Sequence, residues 1–259
     1  MSFQVDAINK RAYARKDPAK SFTSYRLQTA EIIILVKYRD SFWDKRVLDV
    51  GCGAGRTTLF LKNFTAHYTG IDYSSAMIEL CRNKFRGVRF VLCDVRDMAA
   101  SITGEFDFVL FSYNGLDSMV HEDRLRGLQQ IEKVLSSDGI FVFSSHNRGY
   151  RKTSFSPRLR FCRDPLRQAK HISDFVISRY NHAKNKKHEI FHDEYSILNG
   201  VSYNFGLMTY HIDKTKQVSQ LKQAGLQVIE MYDEDGNVLS PESDDSHSPW
   251  IYYVARKAG

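Results

Sequence analysis

From Val47 to Ser144 the sequence alternates short apolar runs with segments of helical periodicity, and this alternation limits the possible folds severely. The apolar runs lie at residues 47–50, 67–71, 88–92, 107–111 and 140–144. Helical segments lie between them at 57–63, 76–84 and 122–135, and the last has Leu125, Leu128, Ile131 and Leu135 on one side. Regular βα alternation predicts an α/β fold with a parallel, doubly wound sheet.

The alternation is interrupted between residues 148 and 212. It resumes with a helix at 214–224 and strands at 226–232 and 250–255. Inside the interruption, strand-like runs at 190–198 and 201–212 flank Asn199-Gly200, a pair typical of a tight hairpin turn. A helical period at 25–44 precedes the first strand. We therefore predict an N-terminal arm and helix at 1–44, a core at 45–147 and 213–259, and an insert with a β-hairpin at 148–212.

The charge of the chain is concentrated in the insert. Residues 148–198 hold twelve lysines and arginines against five acids. The net charge of this segment is therefore +7, the same as that of all 259 residues. Such a stretch is either a solvated helix surface or a surface that attracts a phosphate, a carboxylate or a nucleic acid.

Apolar length and cysteine spacing indicate the compartment. No apolar run reaches the roughly 20 residues of a membrane span, and the first residues carry no apolar stretch of the signal-peptide type. The four cysteines form no C-x-x-C pair. We expect a reduced, cytoplasmic protein. We also expect no metal site, because His188 and His192 have ligand spacing only on a helix and lie in a strand-like run.

The glycine-rich segment after the first strand is the most informative motif. Val47-Leu-Asp-Val-Gly51-Cys-Gly53-Ala-Gly55-Arg56 leads into a helix, and Asp72 follows the next strand. Glycines let a ligand approach the backbone, and the N-terminus of a helix offers free N–H groups. The dinucleotide pattern G-x-G-x-x-G fails because Arg56 stands at its last position, and the P-loop pattern is absent.

Four further motifs follow in order, and together they carry a family resemblance. Asp49-x-Gly51-x-Gly53-x-Gly55 resembles motif I of class I S-adenosylmethionine-dependent methyltransferases, and Asp72-Tyr-Ser-Ser-Ala-Met77 resembles their second motif. Residues 92–95 and 106–111 resemble the third and fourth. Residues 135–142 resemble the turn before strand five, with Ser137 and Asp138 in place of the usual Pro-Gly. The resemblance implies a Rossmann-like, seven-stranded sheet with an antiparallel last strand, and S-adenosylmethionine as the cofactor.

The resemblance also implies roles for the residues in these motifs. Asp72 would accept the ribose hydroxyls, Asp94 the adenine amino group, and the Val95 N–H would reach an adenine ring nitrogen. Met77 and Phe111 would either enclose the adenine or pack in the core, and Asp49 would orient the loop or the cofactor amine. The predicted cofactor-binding set is Asp49, Gly51, Gly53, Gly55, Arg56, Asp72, Tyr73, Met77, Asp94, Val95 and Phe111.

The acceptor site is expected where strands four and five end, because ligands of open α/β sheets bind at the carboxyl ends of strands. His146 is the candidate general base, since an O–H acceptor must lose a proton and histidine titrates near neutrality. Tyr113 is the second catalytic candidate. Asn114, Asn147, Tyr203 and His211 are the predicted substrate-binding residues.

The insert follows strand five, where small-molecule methyltransferases of this class often bind the acceptor, so we interpret it as an acceptor-binding or lid segment. We predict methylation of an oxygen or nitrogen of a small molecule, and the basic insert favours an anionic one such as a sugar or a nucleotide-linked sugar. The alternatives are an RNA methyltransferase and a non-catalytic module that binds S-adenosylmethionine. Residues 1–22 form an arm, and Tyr13, Tyr25 and Arg26 are candidates to close over the cofactor.

Overall fold

The computed structural model describes residues 2–14, 26–151 and 155–259. Its strands are β1 (Val47–Val50), β2 (Tyr68–Asp72), β3 (Arg89–Leu92), β4 (Phe106–Phe111), β5 (Leu135–Asn147), β6 (Ile190–Phe191), β7 (Tyr195–Leu198), β8 (Thr209–Ile212), β9 (Leu226–Tyr232), β10 (Val238–Leu239) and β11 (Trp250–Lys257). Its helices are α1 (Ser2–Ala14), α2 (Thr29–Lys37), α3 (Thr58–Leu61), α4 (Ser75–Lys84), α5 (Met98–Ser101), α6 (His121–Val134), α7 (Pro165–Asn185) and α8 (Lys214–Gln223). Short 3₁₀ turns lie at Arg39–Ser41, Val95–Asp97, Gly115–Ser118 and Lys186–His188.

The central sheet has the strand order β3-β2-β1-β4-β5-β11-β9, with the two-residue β10 at its edge. The neighbours from β3 to β5 are parallel, and β11 runs antiparallel to both β5 and β9. This confirms the predicted doubly wound, seven-stranded sheet with an antiparallel last strand. The chain order reverses between β1 and β4, so their carboxyl ends border the crevice where such sheets bind ligands.

Strand β1 shows why helices cover both faces of the sheet. All four of its residues are buried. Leu48 and Val50 join an apolar cluster that includes Leu128 of α6, whereas Val47 joins a second cluster with Ile34 of α2. Since alternate residues of a strand point to opposite faces, both sides of β1 must be covered.

The inner side of α6 differs from the prediction in one residue. Leu128 and Ile131 are buried as expected, but Leu125 is only half-buried. Arg124 takes the inner position and is fully buried. A buried arginine needs polar partners for its guanidinium group, and those of Arg124 are described with the site below.

The insert contains antiparallel pairs, but its predicted turn is wrong. Strand β7 pairs with both β6 and β8, and β8 extends the sheet as a parallel neighbour of the end of β5. Asn199-Gly200 makes no tight turn, because the amide of Asn199 donates to the carbonyls of Phe205 and Leu207, both at 2.9 Å. These bonds organise residues 199–208 as a ten-residue loop between β7 and β8. The division of the chain into arm, core and insert stays a prediction.

The helix predicted at residues 25–44 is shorter than expected. It spans Thr29–Lys37 and is followed by the 3₁₀ turn Arg39–Ser41. The chain then turns sharply at Asp44, which has a φ of 57°. In the part of the chain that the structure describes, none of the helices combines the length and the apolar character needed to cross a bilayer.

Candidate active site

A cavity of about 320 Å³ lies at the carboxyl ends of β1, β2, β4 and β5. The glycine loop forms its floor. Gly51 and Gly53 line it. Their φ values are 63° and 53°, in a backbone region that residues with side chains rarely adopt. A Cβ on Gly51 would come within 2.9 Å of the Phe111 ring, so this position also needs glycine for packing. Gly55 does not line the cavity, and it packs against the ring of Phe85.

Asp72 ends β2 beside this loop. Its carboxylate accepts the N–H groups of Gly53 at 3.0 Å and Ser74 at 2.8 Å. Burial raises the pKa of Asp72, while these two N–H groups act in the opposite direction. Asp72 lines the cavity together with Tyr73 and Met77, two further residues of the predicted cofactor-binding set.

The next acidic residue along the sheet edge has its charge balanced. Asp94 lines the cavity with Val95, and its carboxylate accepts from Arg96 at 2.9 Å (Nε) and 2.5 Å (Nη2). Burial acts to raise the pKa of Asp94, but the hydrogen bonds from Arg96 outweigh it, and the pKa is lowered. Arg96 also donates to Asp123 at 2.8 Å. The sequence analysis did not include Arg96, although it lies two residues after Asp94.

Phe111 lies on the inner side of the cavity. Its ring packs between Gly51 and Gly115, where a Cβ on either glycine would collide with it. The ring is 5% exposed. Phe111 therefore supports the glycine loop and the turn after β4, and it contributes to the wall at the same time.

Three of the predicted cofactor-binding residues do not line the cavity: Gly55, described above, and Arg56 and Asp49. The guanidinium of Arg56 forms a two-pronged ion pair with Glu31 of α2 at 2.6 and 2.7 Å and donates to Ser112 at 2.7 Å. Asp49 is buried and accepts from the hydroxyls of Thr57 and Tyr68, both at 2.6 Å. Burial raises the pKa of Asp49 to about 6. Arg56 and Asp49 therefore hold together the elements that flank the glycine loop, and they do not face the cavity.

His146 ends in the cavity and is held by a buried carboxylate. Both its backbone N–H and its Nδ1 lie 2.6 Å from one oxygen of Asp117, and its side chain is 20% exposed. If Nδ1 carries the proton toward Asp117, then Nε2 is the unprotonated, basic nitrogen of the ring. The arrangement resembles the carboxylate–histidine pairs that orient a general base.

The buried Arg124 holds Asp117 in turn. Its Nη1 lies 2.5 Å from the other Asp117 oxygen, and its remaining donors reach Gln217, Gln220 and Ser145. Burial would raise the pKa of Asp117, but Arg124 and His146 lower it. Asp117 therefore stays charged in the core. Neither residue was predicted from the sequence, although Asp117 lies six residues after the end of β4, where the acceptor site was expected.

The turn after β4 places Tyr113 and Asn114 at the cavity in a strained conformation. Their φ values are 57° and 56°, in the left-handed region that costs free energy for residues with side chains. The Asn114 N–H donates to Ser144 at 2.9 Å, and its Nδ2 lies 3.4 Å from Nε2 of His146. Asn114 Oδ1 is buried without a hydrogen-bond partner among the described residues. Asn114 thus points its side-chain amide at His146, and Tyr113 lines the same cavity.

The remaining predicted acceptor residues divide into one that lines the cavity and two that do not. Tyr203, in the loop 199–208, forms part of the wall. The ring of His211 lies behind His146 at 4.8 Å, and burial lowers its pKa to about 3. Asn147 is turned away and donates to the carbonyls of Asp245 and Ser248.

Helix α1 covers the cavity from the side opposite the glycine loop. Asn9 donates to the carbonyls of Ser118 and Met208 and accepts the N–H of Met208, all at 2.8 Å. Tyr13 packs edge-on against Tyr203 at 5.3 Å and Tyr73 at 6.2 Å. Of the residues expected to close over the cofactor, Tyr13 lines the cavity, whereas Arg26 does not line it and Tyr25 lies outside the described residues.

In sequence, the chain is similar to known methyltransferases. A family model described as a methyltransferase domain matches residues 47–139. A Geobacillus sp. (strain WCH70) protein named "Putative methyltransferase" is 24% identical over 229 residues, which cover 82% of this chain and 85% of that protein. The chain spans less than two thirds of several other curated methyltransferases that it matches.

Two solved structures share the fold at 15% sequence identity. An S-adenosylmethionine-dependent methyltransferase from Clostridium acetobutylicum has a TM-score of 0.62, over 98% of this chain and all of that one. A Burkholderia thailandensis 1,6-didemethyltoxoflavin-N1-methyltransferase, solved with 1,6-didemethyltoxoflavin and S-adenosylhomocysteine, has a TM-score of 0.59, over 99% of this chain and 89% of that one.

Proposed function

Because this chain is a class I S-adenosylmethionine-dependent methyltransferase, we propose that it methylates an oxygen or nitrogen of a small, largely apolar molecule, with His146 as the general base. The observation that carries the proposal is the 2.6 Å contact between Asp117 and Nδ1 of His146 at the wall of the cavity. A histidine oriented in this way can accept a proton from a neighbouring hydroxyl or ammonium group.

The half of the cavity around the glycine loop fits the cofactor. Gly51 and Gly53 present backbone without side chains, and both oxygens of Asp72 meet backbone N–H groups and lie at the wall. Asp72, Asp94 and the Val95 N–H would hold the ribose and adenine, with Met77 and Tyr73 beside them. S-adenosylmethionine, when bound, supplies a methyl group that its sulfonium already activates.

The chain's own contribution to the chemistry is then alignment and proton removal. Tyr113 and Asn114 border the space in front of His146 and would position the acceptor. Nε2 of His146 would take the acceptor's proton, and the charged Asp117 would stabilise the resulting imidazolium. Arg124 keeps Asp117 charged, so it acts as a positioning residue rather than as a catalytic one.

The wall of the acceptor half favours an apolar and planar molecule. Tyr203, Leu207, Met208, Trp250 and Tyr252 line it, and aromatic walls suit flat ligands. Within the described ranges, no lysine or arginine of the insert lines the cavity. The basic insert therefore gives the expected anionic sugar acceptor no support at the cavity, although Lys10 and Arg96, outside the insert, line it. The Burkholderia enzyme supports a small-molecule acceptor, since its structure holds 1,6-didemethyltoxoflavin.

The test is methyl transfer from labelled S-adenosylmethionine to a panel of phenols, aromatic amines, sugar phosphates and RNA. We expect product with a phenol or aromatic amine. For a phenol, His146→Ala should lower kcat by about 100-fold or more, the typical contribution of a general base. The same variant should bind S-adenosylmethionine in calorimetry as tightly as the original protein.

Matched variants separate the two halves of the site. Asp72→Ala should abolish micromolar binding of S-adenosylmethionine, whereas Asp138→Ala, which removes an exposed carboxylate that does not line the cavity, should leave it unchanged. Transfer to RNA alone, or transfer to phenols that is indifferent to His146→Ala, would contradict the proposal.

A further inference from the structure

Helix α7 of the insert is amphipathic in the reverse sense of a core helix. Its buried residues are Ser178 and Asn185, and both are polar. Its large apolar side chains face solvent instead. Leu166 is 85% exposed, Tyr180 65% and Val176 59%, and Ile172 and Ile177 are close to half exposed. With 3.6 residues per turn, these five side chains fall on one side of the helix.

The inward side of α7 is fixed by polar contacts to the loop 199–208. The side-chain amides of Asn181 and Asn185 donate to the carbonyls of Asn204 and Phe205 at 2.9 and 3.0 Å. His182 lies 3.0 Å from the side-chain oxygen of Asn199. The outward side is therefore set by the fold, and α7 cannot rotate its apolar residues inward without breaking these bonds.

Positive charge borders the apolar side. Residues 155–187 carry nine lysines and arginines against two acids. By helical spacing Arg179 borders Ile172, Lys170 borders Ile177 and Lys184 lies in line with Leu166. One of the two acids, Asp174, points inward and accepts from Asn204. Phe161, 81% exposed, lies just before the helix.

We propose that the outward side of α7 docks on an anionic phospholipid surface, with its apolar residues in the headgroup region and its basic residues on the acidic lipids. Helices that combine an apolar face with flanking lysine and arginine bind bilayer interfaces in this way. A second copy of the chain fits less well, because two faces of the same strong positive charge would meet. A nucleic acid would neutralise the charge but would leave five large apolar side chains in water.

The experiment measures sedimentation of the full chain with phosphatidylcholine vesicles, with and without phosphatidylglycerol. We expect binding only when phosphatidylglycerol is present, and weaker binding as salt is raised. The double variant Val176→Glu/Tyr180→Glu should bind at least about tenfold more weakly, because it places charge in the apolar contact. Its far-UV circular dichroism and Tm should not change, since both side chains already face solvent. In a second readout, Tyr180→Trp should show a blue shift of its fluorescence on these vesicles alone.

Two controls match the variant in exposure and in charge. Val36→Glu changes a valine of α2 that is 70% exposed, and Arg86→Glu removes a surface arginine outside the insert. Both should bind vesicles like the original protein, whereas Arg179→Glu should bind about fivefold or more weakly. Methyl transfer is not needed for any of these measurements.

Three results would overturn the proposal. The first is equal loss of binding in the double variant and in Val36→Glu, or no binding to either kind of vesicle. The second is a mass of two chains in sedimentation velocity that the double variant reduces to one, which would assign the surface to a second copy. The third is binding of single-stranded RNA that Arg179→Glu abolishes and the double variant leaves intact, without binding to vesicles.

Discussion

Helices α6 and α7 face the protein in opposite ways. Helix α6 buries Leu128, Ile131 and Val134 and directs most of its charged residues to solvent. Helix α7 buries Ser178 and Asn185 and exposes its isoleucines and valine. Apolar burial therefore stabilises α6, whereas hydrogen bonds and a capped N-terminus hold α7, where Asp164 accepts the N–H groups of Leu166 and Arg167. Two amphipathic helices of one chain can thus face the protein with opposite sides.

The largest effect should come from the exception within α6. Arg124→Leu removes the arginine partner of a buried carboxylate and leaves Asp117 in the core with only its contacts to His146 and Ser145. We expect a loss of about 3–5 kcal/mol in the free energy of unfolding, measured by urea denaturation. Arg126→Leu on the same helix removes only an exposed ion pair with Asp97 and should cost less than about 1 kcal/mol. Equal losses would show that the burial of Arg124 has no energetic consequence.

Truncation of one apolar residue on each helix tests the comparison directly. Leu128→Ala should lower the free energy of unfolding by about 2–4 kcal/mol, because it leaves a cavity in the core. Val176→Ala on α7 should change it by no more than about 0.5 kcal/mol, as is usual for exposed sites. Both values come from the same urea titration. A large loss in Val176→Ala would mean that α7 is packed against something that covers its outward side.

The junction of insert and core should be sensitive to acid. Burial lowers the pKa of His211 to about 3, whereas a histidine in the unfolded chain titrates near 6.5. The unfolded chain therefore binds the proton first, and stability falls as the pH drops below about 6.5. Between pH 7 and pH 5 this amounts to about 2 kcal/mol. His211→Gln should remove this part of the pH dependence, and the exposed His67→Gln should retain it.

The smallest effect is expected on the inner side of α7. Asn185→Ala removes the hydrogen bond to the Phe205 carbonyl, but that carbonyl keeps the bond from Asn199. We expect a loss of about 1 kcal/mol in the free energy of unfolding, the value of a single hydrogen bond. Asn83→Ala on the exposed side of α4 is the matched control and should be neutral. A loss above that of Leu128→Ala would reverse the comparison between the helices.

The placement of the glycine loop and Asp72 at the cavity was predictable because its signals are local. Glycines in a left-handed conformation and an acid at the end of the next strand must lie near one another in a parallel sheet, so Gly51, Gly53 and Asp72 needed no knowledge of the tertiary structure. Arg56 and Asp49 belong to the same motif, yet they point away from the cavity. Motif membership fixed their position in the chain but not the direction of their side chains.

The support of His146 was not predictable in the same way. Asp117 and Arg124 come together with residues of α8 only after folding, and an arginine in an amphipathic helix is usually a surface residue. One signal was present, because Arg124 lies four and seven residues before Leu128 and Ile131, on the same side of α6. The turn at Asn199 failed for a related reason: the Asn-Gly rule describes local backbone preference, and the Asn199 side chain is used in long-range loop contacts.

The bonds of Asn9 have a consequence for how the molecule is made. Its partners Ser118 and Met208 lie 109 and 199 residues further along the chain. On a ribosome, α1 is therefore complete long before either partner exists, and an isolated helix of 13 residues is marginal in water. The cavity wall must be completed last, after the sheet has formed and the loop after β7 has emerged. Synthesis that pauses before residue 208 would leave α1 without this partner and the cavity open on that side.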